Sequence, residues 1–397
     1  MEHHSATPGI HQIVVLGGGY AGMMATARLA RRCRRLPVRI TLVNPSEWFV
    51  ERLRTHQLAA GQELRRHRIP DVLANTGVVF RRGAATAIDT RQRTITLDDA
   101  ATLSYDTLVY ALGSRTDTDA VPGAADHALT LEAPDAIRDR LAGLTAAGGG
   151  TVTVVGNGLT GIEAAAEIAE QHPALTVTLL GAGEPGAMMG DRARAHLVRA
   201  LDRFGITQRS GVHVSKVLPG GVELDSGEFL ASDLTVWTAG VRVSPLAAAS
   251  GIATDDAGLV VTDGTLRSVS HPEVYAVGDA ASVRLPWGQV HGTCQSGIPT
   301  GAYVGDAIAR RLRGRKVRPF RFGYVHQPVS LGRKDAVIQF TRADDRATRW
   351  YLKGGAAVRY KESVSSSPVW SFRMSRRFNV PVTISKGGRI TRAAMID

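Results

Sequence analysis

Two short glycine-rich runs carry the first chemistry that can be read from residue spacing: Gly17-Gly18-Gly19-Tyr20-Ala21-Gly22 and Gly156-Asn157-Gly158-Leu159-Thr160-Gly161. Each follows a β-branched segment, HQIVVL at 11–16 and TVTVV at 151–155. Each also opens a predicted helix, through Arg35 in the first case and over Ile162–Gln171 in the second. In such a turn the first Gly permits a tight strand-to-helix reversal. The second removes a Cβ that would block a pyrophosphate, and the third lets the helix pack closely on the strand. The helix N-terminus then offers free N–H groups and a positive dipole end to the phosphates. One such turn is weak evidence for a dinucleotide site; two, both between a strand and a helix, are strong evidence.

The ribose-reading positions are less specific. The strand VRITLV (38–43) ends at Asn44, where an Asp or Glu usually bonds the ribose hydroxyls; Asn accepts such a bond without charge. In the second unit the strand over Thr176–Leu180 runs into Gly181-Ala182-Gly183, with neither acid nor base in place. Arg192 and Arg194 lie further on and read either as 2′-phosphate ligands or as helix-surface arginines. NADH and NADPH both stay open.

These turns require parallel α/β scaffolding. Val78–Ile88, Thr94–Leu97 and Thr107–Leu112 are predicted as further strands of the first unit, ending at Gly113. After Gly148-Gly149-Gly150 the pattern restarts, 139 residues on from Gly17 to Gly156, a duplication on the scale of a domain. Later strands end at Ala239-Gly240 and at Gly278-Asp279. From Phe322 onward PVSLG, AVIQFT and RWYL predict an antiparallel sheet. The predicted fold class is α/β, with two Rossmann-type dinucleotide-binding domains and a small C-terminal α+β module.

At 397 residues the chain has room for two or three domains, and 44% apolar residues suffice for a sizeable core. Cys33 and Cys294 form no CxxC pair, which excludes a disulfide framework or zinc site and points to a reducing, cytoplasmic compartment. No metal is expected. No run of 18 apolar residues exists, and MEHHSATPGIHQ lacks the features of a secretory leader. The charge is uneven: residues 310–397 hold 21 Lys and Arg against 5 Asp and Glu, within a net charge of +12 for the whole chain. Such a segment suits an anionic membrane surface on the inner face of the cell membrane, or a solvated face; nucleic acid is not expected as a partner.

The order GGGYAG, YALGS, GNGLTGIE, TAG and VYAVGDAA resembles the pyridine-nucleotide flavoproteins, and among them most closely the type II NADH:quinone oxidoreductases. The resemblance covers about residues 10–330, and the last seventy match loosely. It implies an FAD-binding domain from 10–115 and 245–325, an NAD(P)-binding domain from 116–244, and a basic interface module from 326–397. It also implies that Gly17, Gly19, Tyr20, Ala21 and Gly22, with Asn44, Arg52, Gly113, Gly278 and Asp279, serve FAD. Gly156, Gly158, Gly161 and Gly240 would serve NADH or NADPH. Glu163 matches an acid beside the nicotinamide; alone it would read as a helix-start acid.

The resemblance places Glu51–Gly61 (ERLRTHQLAAG) beside the isoalloxazine, with Arg52, Arg54, His56 and Gln57 where typical members carry Pro-Leu-Leu. Cations there favour the anionic reduced flavin, and His56 is the candidate proton donor. Gln295 matches the first of two quinone-site glutamines, while Pro299 replaces the second. Cys294 reads as a small core residue, or as a thiol beside the flavin. Trp370, Met374 and Phe378 share one face of a predicted helix over 367–380 bordered by arginines, which suits a membrane surface, the chain's own domain or a homodimer partner.

The implied activity is hydride transfer from NAD(P)H to FAD, then electron transfer to a quinone-like acceptor. A soluble flavin-dependent tailoring oxidoreductase and a non-catalytic flavin redox sensor are the alternatives.

Overall fold

The structure is a computed structural model that describes residues 9–391. The leader reading of residues 1–8 and the end of the basic module, 392–397, lie outside the described residues. The first unit contains β1 (His11–Leu16), α1 (Tyr20–Cys33), β2 (Val38–Asn44), the short α2 (Thr55–Ala59), β3 (Val79–Arg82) and β4 (Thr107–Tyr110). The second contains β5 (Ala128–Thr130), β6 (Gly150–Val155), α3 (Leu159–Gln171), β7 (Leu175–Gly181), β8 (Thr207–Ser210) and β9 (Leu234–Trp237). The chain returns to the first unit with β10 (Val274–Ala276) and α4 (Cys294–Arg311). It finishes with β11 (His326–Ser330), β12 (Ala336–Thr341), β13 (Ala347–Lys353) and α5 (Gly354–Ser375).

Two five-stranded sheets result, in the orders β10-β4-β1-β2-β3 and β5-β9-β6-β7-β8, and every pairing in them is parallel. Parallel sheets are covered on both faces, so their central strands read as unbroken apolar runs. Ile13, Val14, Val15 and Leu16 are all buried, as are Val152, Val154 and Val155. The registers match: Leu16 pairs with Val43 and Val155 with Leu180, which makes Asn44 and Gly181 equivalent positions. Each unit also inserts a three-stranded antiparallel sheet, over 85–104 in the first and 214–231 in the second.

The segment Val78–Ile88 differs from the expectation of one strand run. Gly83, at φ +156°, breaks it, so Val79–Arg82 joins the parallel sheet while Ala85–Asp89 begins the antiparallel insert. The two crossings between units run side by side, with Ser114–Thr116 pairing antiparallel to Val241–Val243.

The C-terminal sheet β11-β12-β13 is antiparallel, and α5 packs over it and against α1. Helix α5 buries Ala357, Lys361, Ser365, Val369, Phe372 and Ser375, a stripe at helical spacing. Phe372 sits 5.4 Å from Phe49 and 6.5 Å from Tyr20, centroid to centroid. Burying that ring contributes about 2–3 kcal/mol to docking the helix on the first unit. The helix ends at Ser375, so Phe378 lies past its end and does not extend the predicted face. Trp370 and Phe378 nevertheless point outward, 58% and 57% exposed. The tail thus docks on its own chain by one face and leaves another free.

Candidate active site

The first glycine turn joins β1 to α1, and its three glycines are required for three different reasons. Gly17 has φ +104°, and a Cβ there would collide with the Ala111 carbonyl. Gly22 would collide with the Gly17 carbonyl, so the helix could not approach the strand. A Cβ on Gly19 would meet nothing within 4 Å: the space in front of the helix is open. Gly19 is also the N-cap and supplies no side chain to the helix N–H groups. The second turn repeats this, with Gly156 at φ +108°, Gly161 against the Gly156 carbonyl, and Gly158 open. Both cradles fit a dinucleotide pyrophosphate.

The other residues predicted for FAD lie around the first cradle, while Gly240 follows β9 in the second unit. Asn44 Oδ1 accepts from the Gly18 N–H at 2.8 Å, and its Nδ2 donates to the Ser46 carbonyl at 2.7 Å. Gly278 and Asp279 form a 3₁₀ turn after β10, on the same sheet as Gly17. Asp279 Oδ2 accepts from Ser114 Oγ at 2.8 Å. Gly113 (φ +67°), Gly240 (φ +73°) and Gly278 (φ +66°) all sit at strand ends in the left-handed region. Arg52 donates to the Ser114 carbonyl at 2.7 Å and pairs with Glu132 at 3.4 Å, which ties its loop to the crossing strand. Tyr20 stacks edge-on against Phe49 at 5.1 Å, and burial raises its phenol far above the ordinary value. Ala21 lies against Gly278, Gly297 and Gly301 and seats α1 on α4.

The predicted catalytic residues separate. His56 and Glu163 come together, His56 Nδ1 lying 3.9 Å from Glu163 Oε2, with both side chains buried. Glu163 Oε1 accepts from the Ser330 N–H at 2.9 Å and Ser330 Oγ at 3.1 Å, and pairs with Lys361 Nζ at 2.7 Å. Ser330 Oγ also contacts His56 Nε2 at 3.3 Å. Four distant segments therefore meet: α2, α3, β11 and α5. Gln295 is not among them. Its Nε2 donates to the His326 carbonyl and its Oε1 accepts from the Val325 N–H, each at 2.9 Å, so the amide ties α4 to β11.

The charges in this cluster follow from its burial. Burial alone would raise the Glu163 carboxyl, but Lys361 leads a set of neighbours that outweighs it and holds the carboxyl below its ordinary value. Burial pushes His56 down to about 4 against the pull of Glu163. His56 is therefore neutral at pH 7, and the counter-charge of Glu163 is Lys361. One turn along α3, Glu167 is fully buried, takes a bond from Gln62 and leaves Oε2 without a partner; burial raises it to about 7.

Lys361 and Ser330 were absent from the sequence-level candidates. The signal for Lys361 was a charged residue in register with Ala357, Ser365, Val369 and Phe372 on the buried face of the helix, where a solvated cation has no place. Cys294 opens α4 behind the Thr293 cap, and burial raises its thiol to about 11, as it does for Cys33. Both are protonated thiols at neutral pH. Arg194 bonds Glu184 and the Pro185 carbonyl and so does not stand free for a 2′-phosphate, while Arg192 lies 5.8 Å over the Tyr351 ring.

The pyridine nucleotide-disulphide oxidoreductase family model matches residues 11–300. An NADH dehydrogenase-like protein of Mycobacterium tuberculosis is 33% identical over 386 residues, covering 90% of this chain and 94% of that protein. A type II NADH:quinone oxidoreductase of Staphylococcus haemolyticus is 26% identical, with 82% and 89% covered. Among solved structures, NDH2 from Plasmodium falciparum in complex with NADH superposes with a TM-score of 0.78 at 15% identity, covering 92% of this chain and 97% of that one.

Proposed function

The chain belongs to the pyridine nucleotide-disulphide oxidoreductase family, and from that premise we propose that it is an FAD-dependent NAD(P)H dehydrogenase that passes electrons to a quinone. The observation that carries this reading is the pair of open glycine cradles on two parallel sheets, one for each dinucleotide. Bound FAD would supply the hydride acceptor for NAD(P)H and the two-electron donor for the second substrate. We assign its pyrophosphate to Gly17, Gly19 and Gly22 and its polyol to Asp279, whose second carboxylate oxygen is not used by Ser114. Gly156, Gly158 and Gly161 would hold the nicotinamide dinucleotide. The two antiparallel crossings at Ser114–Thr116 and Val241–Val243 support a division at 115/116 and 244/245.

The protein's own chemistry lies in the His56–Glu163–Ser330–Lys361 cluster. Quinone reduction consumes two protons with its two electrons, and NAD(P)H brings one of them. Lys361 Nζ lies 2.7 Å from Glu163 Oε1 and donates to the Pro328 carbonyl, and its charge opposes the effect of burial on the Cys294 thiol at the head of α4. We assign it as the proton-bearing cation of the acceptor side, with Glu163 and Ser330 positioning it. His56, neutral and buried, supplies the hydrogen bond that orients Ser330. Gln295 shapes the site through β11.

We also place the enzyme peripherally on an anionic membrane. Trp370, Phe378, Ile384 and Ile390 are exposed apolar side chains interleaved with Arg373, Arg377, Lys386 and Arg389. No helix among the described residues is long and apolar enough to cross a membrane. Pro299, where typical members carry a second glutamine, favours a soluble tailoring reductase as the second reading. Steady-state oxidation of NADH and NADPH with menaquinone and ubiquinone analogues decides between them: turnover with a quinone supports the first, and turnover with none of them the second.

A further inference from the structure

The two Rossmann units carry the same amide from opposite sides. In the first, position 18 is Gly and the strand end is Asn44, whose side chain lies against Gly18. In the second, the equivalent turn position is Asn157 and the strand end is Gly181. A Cβ built on Gly181 would run into Asn157 Cγ and Oδ1. Asn157 Nδ2 donates to the Gly183 carbonyl, which fixes the amide over the strand end, and no protein donor reaches its Oδ1 among the described residues. The place where a carboxylate ordinarily reads the adenosine ribose is thus filled by a neutral amide folded back from the glycine turn.

The charged groups around it are already paired. Glu184 bonds Arg194 at 3.1 Å, and Arg209 bonds Glu228 through two contacts of 2.7 Å. No carboxylate stands at the strand end to repel a 2′-phosphate, and no unpaired arginine of this set stands ready to claim one. Asn157 Oδ1 can accept from a ribose hydroxyl without charge.

We propose that Asn157 makes the nicotinamide site indifferent to the 2′-phosphate, so that NADH and NADPH are used with similar efficiency. The inference rests on the assignment of Gly156–Gly161 as the nicotinamide-dinucleotide turn. It also identifies the determinant: charge at the strand end sets the preference, and Asn157 keeps charge out. Gly181 lies outside the left-handed region, so its backbone accepts a side chain once Asn157 is removed.

The test uses FAD-loaded protein and two probes without a nicotinamide ring, ADP-ribose and 2′-phospho-ADP-ribose, by titration calorimetry. Wild type should bind them with dissociation constants within about tenfold of one another. Asn157→Gly with Gly181→Asp should weaken the phosphorylated probe about a hundredfold relative to the other, because like charges are then juxtaposed. Asn157→Gly with Gly181→Asn copies the first unit's arrangement and should keep the wild-type ratio. The kcat/KM values for NADH and NADPH should move in parallel. A wild-type ratio beyond about tenfold in either direction, or an Asp variant that leaves the ratio unmoved, overturns the inference while leaving the oxidoreductase reading intact. Failure of wild type to bind either probe overturns the nucleotide-site assignment itself.

Discussion

Replacing Lys361 with Met removes the ammonium of the central cluster and keeps most of its apolar stem. In the native chain Nζ lies 2.7 Å from Glu163 Oε1, and the two side chains are 5% and 10% exposed. Without Lys361, the Glu163 carboxylate keeps only the Ser330 N–H and hydroxyl as hydrogen-bond donors. Removing one partner of a buried pair costs about 3–5 kcal/mol, because the other is left charged in a low dielectric. That is a large fraction of a net stability on the order of 5–15 kcal/mol. Combining it with Glu163→Gln removes both charges, so the double variant should lie about 2–3 kcal/mol above the single one, a strong coupling. Urea midpoints followed by circular dichroism give both numbers.

The pH dependence supplies an independent arm of this test. In wild type the lowered Glu163 carboxyl contributes stability present above its unfolded value of 4.5 and lost only as pH falls through the folded one. In Lys361→Met the largest opposition to burial is gone and only weaker partners such as Ser330 remain, so the carboxyl rises and the variant's deficit should shrink as the solution is acidified from about pH 8 to pH 5. A Lys361→Met protein within about 1 kcal/mol of wild type at neutral pH would refute the claim that this pair is buried and mutually dependent.

The remaining expectations follow from other parts of the site. Gly19→Val should fold yet lose bound FAD, since the open space it fills is the cradle, whereas Gly158→Val should keep FAD and lose reduction by NAD(P)H; flavin absorbance and thermal melts separate these from Gly22→Val, which should fail to fold. Glu167, raised to about 7, stabilises the fold in acid, and that contribution is lost as pH rises through 7. His56 and His326, lowered to about 4, act oppositely: their contributions are present above 6.5 and lost as pH falls toward 4. Glu167→Gln should therefore steepen the loss of stability on acidification from pH 7 to 4.5 by up to about 3 kcal/mol, read from urea midpoints across that range. Vesicle binding should rise with anionic lipid and fall with salt, and Trp370→Ser with Phe378→Ser should remove the part that survives high salt without changing flavin reduction; equal binding of wild type to neutral vesicles would refute the charged-surface reading.

What was legible in the sequence was local. A glycine turn states its geometry within six residues, because Gly17 and Gly22 each answer a separate clash, with the Ala111 and Gly17 carbonyls, and Gly19 leaves open space before the helix. The duplicated sheets followed from the same logic, since each turn demands a buried parallel strand before it. The single strand run over Val78–Ile88 was overdrawn because apolar residues lie on both sides of Gly83, where the chain passes from the parallel sheet to the antiparallel insert. The buried polar cluster was half visible. Glu163 and His56 stood out through the motif and its loop, but Ser330 and Lys361 reach them from 167 and 198 positions beyond Glu163. No local pattern records that convergence; only the charged residue on the buried stripe of α5 hinted at it. Gln295 shows the reverse case, a motif match whose amide is engaged with the backbone of β11.

The proposed electron path enters through the second glycine turn and leaves to a quinone. Its most direct test is anaerobic stopped-flow spectroscopy of the flavin-loaded protein in two mixes. Mixing with NADH or NADPH should bleach the flavin in wild type and not in Gly158→Val, and mixing the reduced wild type with a menaquinone analogue should restore the oxidised spectrum. A flavin that bleaches equally in Gly158→Val, or that stays reduced in the presence of the quinone, would contradict the account.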